Sequence, residues 1–115
     1  MEHTKLEAWK EAVELTVEVY GLTKSFPKDE IYGLTSQIRR AVVSVPSNIA
    51  EGCARNSTGE TIHFLYIAIG SLAEVETQIL ISNRLGYISD VSTVTRHILL
   101  VKQLTLGLIK YLKTV

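Results

Sequence analysis

Three groups of side chains in this 115-residue sequence have types and spacings that bear on chemistry. The first is Glu60-Thr61-Ile62-His63, a Glu-x-x-His sequence of the kind that supplies half of a di-metal site in a helical bundle. A complete site needs a second such pair and two further inward glutamates. His97 has Val94 three residues before it, His3 lies in the terminal segment, and Glu60 is engaged in capping a helix, so neither a metal nor a cofactor is expected. The second group would be a nucleophile with its activating base. No glycine-rich phosphate loop and no nucleophile elbow occurs. The lone Cys53 sits at the edge of an apolar stripe, where a thiol acts as a small hydrophobe. No enzyme is expected. The third group is cationic: Arg39, Arg40, Arg55, Arg96, Lys102 and Lys110 are candidates for binding the phosphates of a nucleic acid. As neighbours on a helix, Arg39 and Arg40 point about 100° apart, so they cannot both serve one partner.

Charge alone does not recommend that role. Twelve basic and twelve acidic residues cancel, but unevenly: residues 1–30 hold seven acids and four bases, net −3, and residues 31–115 hold eight bases and five acids, net +3. A single cysteine cannot form an internal disulfide. The start, MEHTKLEAWKE, lacks the apolar core of a signal peptide, and no run approaches the ~18 apolar residues of a membrane span. A cytoplasmic protein with no membrane partner is the expectation.

Four helices position these groups, with bounds predicted near 5–25, 28–55, 58–84 and 90–113, in a single domain covering 1–115. In the first, Leu6, Trp9, Val13, Val17 and Tyr20 form one stripe, and Ala8, Ala12, Leu15, Val19 and Leu22 an adjoining one. The second carries Ile31, Leu34, Ile38, Ala41, Val42, Val45 and Ile49 on one face. Gln37, Ser44, Asn48 and Glu51 fall on a polar stripe about a quarter-turn away, together with Arg40. Pro46 lies inside this helix, where it costs roughly 3 kcal/mol. The apolar spacing stays in phase beyond it, which predicts a helix that continues with a kink. Ser57 and Glu60 form a capping box for the third helix, and Gly86 suits the left-handed residue after it. Glu76 falls within the third helix's apolar series Ile62, Leu65, Ile69, Leu72, Ala73, Ile79 and Leu80. A buried carboxylate needs a partner, and Arg40, directly or through a bridge, is the candidate, with tyrosine hydroxyls as alternatives. The fourth helix repeats Val91, Val94, Ile98, Val101, Thr105, Leu108, Leu112 and Val115 at heptad spacing.

Four helices of about 20 residues with short connections predict an all-α, antiparallel up-and-down four-helix bundle. The 46% hydrophobic content is high for so small a bundle, so part of the apolar surface is expected to meet another subunit. Phe64, Ile67, Leu99 and Leu106 are the candidate interface residues.

The stretches LEAWKEA, YGLTSQIRRAVVSVPSNIAEG and FLYIAIGSLAEVETQ closely resemble the four-helix-bundle proteins encoded in intervening sequences of bacterial 23S rRNA genes. The resemblance covers about Leu6 to Tyr87 and adds little over the last helix. It implies a left-handed bundle assembling as a ring-shaped homopentamer, with a poorly defined function. It also implies kinship with the accessory variability determinant of diversity-generating retroelements, a pentamer that partners a reverse transcriptase and binds nucleic acid. Those relatives are basic, whereas this chain is neutral. Gln37, Arg39, Arg40, Ser44, Asn48, Glu51, Ser71, Glu74 and Glu76 match the family pattern, and none brings a catalytic role with it. Two readings follow: an oligomeric scaffold for structured RNA or for a nucleic-acid-processing partner, and a structural or protein-interaction module that binds no nucleic acid.

Overall fold

A computed structural model describes all residues, 1–115. It contains four α-helices and no strand: α1 (Glu7–Thr23), α2 (Leu34–Cys53), α3 (Thr58–Arg84) and α4 (Ser92–Leu112), with short 3-10 turns at His3–Lys5 and Lys28–Glu30. Each helix packs on its neighbours around a ring, α2 most extensively on α3, while the backbones of the diagonal pairs α1–α3 and α2–α4 do not approach closely. Long-range contacts fix the antiparallel order. At one end Phe26, after α1, stacks on Tyr87, after α3, with ring centroids 5.3 Å apart. At the other, the Met1 ammonium donates to the Cys53 carbonyl and Lys113 Nζ reaches the Tyr66 hydroxyl.

The core is a cluster of 22 buried apolar residues drawn from all four helices and from both loops at the Tyr87 end. In α3 its backbone is Thr61, Leu65, Ala68, Leu72, Val75, Ile79 and Ser82, alternating four and three apart as in coiled-coil packing. This corrects the expected face in part. Leu65, Leu72 and Ile79 of the expected series are core, but because α3 is apolar on several sides Ile62 and Ile69 lie only partly buried at its edge, and Ala73 and Leu80 are exposed. Glu76 lies one residue past the true stripe and is exposed. It forms no ion pair with Arg40, which is also exposed, so the expected buried pair does not exist. The same choice arises in α1, where Ala8, Ala12, Leu15 and Val19 are buried and Val17 faces water. α4 keeps the expected series from Val94 to Leu112, with Ile109 rather than Leu108 at the buried position, but Val115 lies beyond the helix and is exposed.

α2 begins at Leu34, six residues later than expected, because Gly33 takes a non-helical conformation and residues 28–30 form a 3-10 turn. The cap comes from upstream: Glu30 Oε1 accepts from the Leu34 amide at 3.1 Å. Ile31, placed on the core face by its spacing, is therefore outside the helix and exposed. Pro46 is accommodated inside an unbroken helix. The Val42 carbonyl, deprived of its i+4 donor, lies 3.2 Å from the Thr16 hydroxyl of α1. Ser44 and Ser47 bond instead to the carbonyls of Ala41 and Val43.

Ser57 caps α3 by accepting from the Glu60 amide, while the Glu60 carboxylate makes no return bond, so the box is half formed. At the far end Gly86 has φ +82°, and Tyr87 and Gly86 donate to the carbonyls of Ser82 and Asn83, the paired bonds of a Schellman motif. α4 starts at Ser92, whose amide and hydroxyl both donate to Asp90 Oδ1. By mean hydropathy α3 alone is long and apolar enough to cross a membrane, which corrects the expectation that no segment would reach that mark. In this bundle its heptad stripe is core.

Candidate nucleic-acid interface

The polar stripe of α2 turns toward α3. Ser44 Oγ lies 2.6 Å from Ser71 Oγ, and Asn48 donates to the Ser44 carbonyl at 2.8 Å, so both are fixed by packing. Gln37 and Ser44, with Arg40 and Tyr32 of the same chain segment, face Glu74 and Gln78 of α3 across a groove of about 580 Å³. Glu51, at the end of the stripe, is exposed and pairs with Arg55 at 3.7 Å.

The two neighbouring arginines have different lives. Arg39 is half-buried: its Nε donates to the Thr23 hydroxyl at 2.8 Å and its guanidinium covers the Tyr20 ring at 4.6 Å. It is part of the α1–α2 contact. Arg40 is exposed and has no ion pair or hydrogen bond within the chain, which leaves all its donors available. It stands on the ridge of α2 between the groove just described and a second one of about 620 Å³, lined by Tyr20, Ile31, Thr35, Ser36, Ser47 and their neighbours. A smaller depression, also lined by Arg39, continues past Thr23 to Lys24 and Lys28. No acid lines the second groove or this extension. Four cations therefore share a surface without a carboxylate in its walls, on a chain whose charges sum to zero. The sequence pointed to Arg39 and Arg40 here but not to Lys24 and Lys28, which reach the patch only through the loop after α1.

The remaining candidate cations do not join them. Arg55 lies at the other end of α2, held by Glu51 and stacked over Phe64 at 4.6 Å. Arg96, Lys102 and Lys110 project from α4, the helix diagonal to α2. Lys102 shares a small groove with Glu76, Ile98 and Leu99. Of the candidate interface residues, Ile67, Leu99 and Leu106 are 39%, 51% and 39% exposed. Phe64 is half-buried under Arg55.

One polar cluster was missed. His97 of α4 lies between two glutamates of α1, with Nδ1 2.6 Å from Glu18 and Nε2 2.9 Å from Glu11. Burial works against a charge on the ring, but the hydrogen bonds to the two carboxylates outweigh it and raise the His97 pKa above the ordinary histidine value. An imidazolium can donate to both acids, whereas a neutral ring can donate to only one. Each nitrogen addresses its own carboxylate, an arrangement of hydrogen bonds rather than of ligands converging on a metal. The available signal was the seven-residue spacing of Glu11 and Glu18, which puts them on one side of α1. Glu60 and His63 are both exposed, and no second acid–histidine pair faces them.

Fold and surface together define an up-and-down helical bundle whose α2 carries two arginines on its outer side, Arg40 exposed and Arg39 half-buried. The profile of the 23S rRNA-intervening sequence protein family matches residues 4–105, and the chain belongs to that family. The match extends the resemblance read from the sequence well into α4. No curated protein matches the chain.

Proposed function

We propose that this protein is a non-enzymatic, oligomeric helical scaffold that binds structured RNA in the cytoplasm, using the outer face of α2. The observation that carries this reading is the pair of depressions holding Lys24, Lys28, Arg39 and Arg40 with no acid in their walls, and with Arg40 unpaired. Phosphate binding requires cations whose charge is not already neutralised by neighbours, and salt-dependent affinity scales with the number of such contacts. Four cations per chain are few. In a ring of five subunits, the assembly implied by resemblance to the family, the same patch recurs on each subunit and the contacts add by avidity. The family's name, taken from a locus within ribosomal RNA genes, is consistent with an RNA partner.

The second reading, a protein-interaction module without nucleic acid, is favoured by the exposed Leu99, Leu100, Leu106 and Tyr111 of α4. Titration of the purified protein with hairpin RNA and duplex DNA, at low and at physiological salt, separates the two. The RNA reading expects binding that falls with salt, weakens in Arg40→Ala and loses about one unit of salt slope in that variant. No binding even at low salt leaves the protein-interaction reading.

A further inference from the structure

We infer that the groove between α2 and α3 receives an unpaired nucleobase, so that the RNA bound is a loop or bulge rather than a plain duplex; this inference rests on the RNA reading above. The two grooves beside Arg40 differ in a way that assigns different parts of a nucleotide to each. The outer one has no acid in its walls and suits phosphate. The α2–α3 groove contains Glu74, which would repel a phosphate but can accept hydrogen bonds from the N–H groups of a base.

Two further observations favour a flat, donor-bearing guest there. Tyr32 is 94% exposed at the edge of this groove, an aromatic ring with almost no protein against it. Bases of single-stranded nucleic acids stack on such rings. Gln78 lines the same groove, and its side-chain oxygen is enclosed without any hydrogen-bond partner. That oxygen is an acceptor lacking a donor, on a residue that forms part of the groove wall. With Glu74 and Gln78 both able to accept, the preferred base is one rich in N–H groups, guanine foremost, whose ring N–H and amino group can together face a carboxylate. Arg40, lining both grooves, would hold the phosphate of the nucleotide whose base is turned inward. A base stacked inside a helix cannot reach this position, which is why the inference selects looped RNA.

The test compares three RNAs by fluorescence anisotropy: a hairpin with a guanine-containing loop, the same stem with a uridine loop, and the stem as a continuous duplex. Each is titrated with wild type, Tyr32→Ala, Tyr32→Phe, Glu74→Gln and Arg40→Ala. The expected result is tightest binding to the guanine loop, lost by roughly tenfold in Tyr32→Ala and kept in Tyr32→Phe. Glu74→Gln should narrow the gap between guanine and uridine loops, and Arg40→Ala should weaken all three RNAs. Equal binding of hairpins and duplex, or a Tyr32→Ala protein that binds as wild type while Arg40→Ala is weakened, overturns the base pocket and leaves the RNA scaffold standing. Failure of every RNA to bind at low salt removes both.

Discussion

The Thr16 hydroxyl and the Val42 carbonyl oxygen lie 3.2 Å apart, across the α1–α2 contact and at the acceptor that Pro46 leaves without its helical donor. The same hydroxyl is 2.8 Å from the Ala12 carbonyl of its own helix, so one hydrogen serves two acceptors. A proline in mid-helix thereby becomes a point of attachment for the neighbouring helix. Thr16→Val should cost about 1 kcal/mol of stability, the net worth of a hydrogen bond of this kind. The cost should shrink in a Pro46→Ala background, where the residue-46 amide can take over Val42. Urea unfolding of the four proteins in this cycle measures the coupling. Strict additivity would mean that the Thr16–Val42 contact carries no energy of its own.

The His97 clasp makes a prediction about pH. Its pKa is raised in the folded state, so proton binding favours folding. That stabilisation is complete below the unfolded histidine value of about 6.5 and is lost as pH rises through the higher folded value. Unfolding midpoints should therefore fall from pH 6 to pH 9 in wild type, and fall less in His97→Gln. An NMR titration of the ring should show its pKa moving down in Glu18→Gln. A wild type and a His97→Gln protein with parallel pH profiles would rule the clasp out as a source of stability.

Gly52 is fixed by close approach rather than by backbone freedom. A Cβ at this position would lie 2.9 Å from Phe64 Cβ and 3.0 Å from the Thr61 carbonyl oxygen of α3. The Thr61 hydroxyl also donates to the Gly52 carbonyl at 2.8 Å, tying the helices at the same spot. Alanine ordinarily gains about 1 kcal/mol over glycine in a helix. Here the overpacking penalty, about 1–3 kcal/mol, should outweigh it. Gly52→Ala is expected to lower the thermal midpoint, whereas Gly70→Ala, with open space around its Cβ, should raise it. Calorimetry of the pair checks both signs.

The exposed leucines of α4 give an assembly prediction. Leu99→Glu together with Leu106→Glu should lower the mass measured by sedimentation while leaving helical content unchanged, since neither side chain is core. A double variant that keeps the wild-type mass would remove these residues from the interface.

Much of this fold was legible because its signals are local. Ser57 and Gly86 marked both ends of α3, and the α4 series from Val94 to Thr105 kept its heptad spacing although Leu99, Leu100 and Leu104 lie beside it. The core face of α3 was legible only at Leu65, Leu72 and Ile79, for the opposite reason. Phe64, Ala68 and Val75 compete with Ile62, Ile69 and Ala73, and only the partner helices decide which set turns inward. Glu76 was misplaced with that stripe, and its supposed pairing with Arg40 fell with it. The start of α2 was missed because Pro27 resembles a helix opening, whereas the effective cap is a glutamate carboxylate reaching forward from residue 30. At the candidate site, Arg40 could be picked out by position. Its freedom, the engagement of Arg39 with Tyr20, and the arrival of Lys24 and Lys28 are properties of the packed α1–α2 pair.

Glu30 also has a second oxygen, which accepts from the Tyr87 hydroxyl at 2.9 Å across 57 residues of chain. One carboxyl group thus closes the first turn of α2 and holds the turn that ends α3. At this end of the molecule, the Glu30 carboxylate is expected to couple fraying of α2 to release of the Gly86 turn. Amide protons at Leu34 and Tyr87 should accordingly exchange together, as one opening unit, in native-state hydrogen exchange. Tyr32 sits two residues before Leu34, so whatever stacks on its ring would be felt at the far turn as slower exchange, with no contact between them.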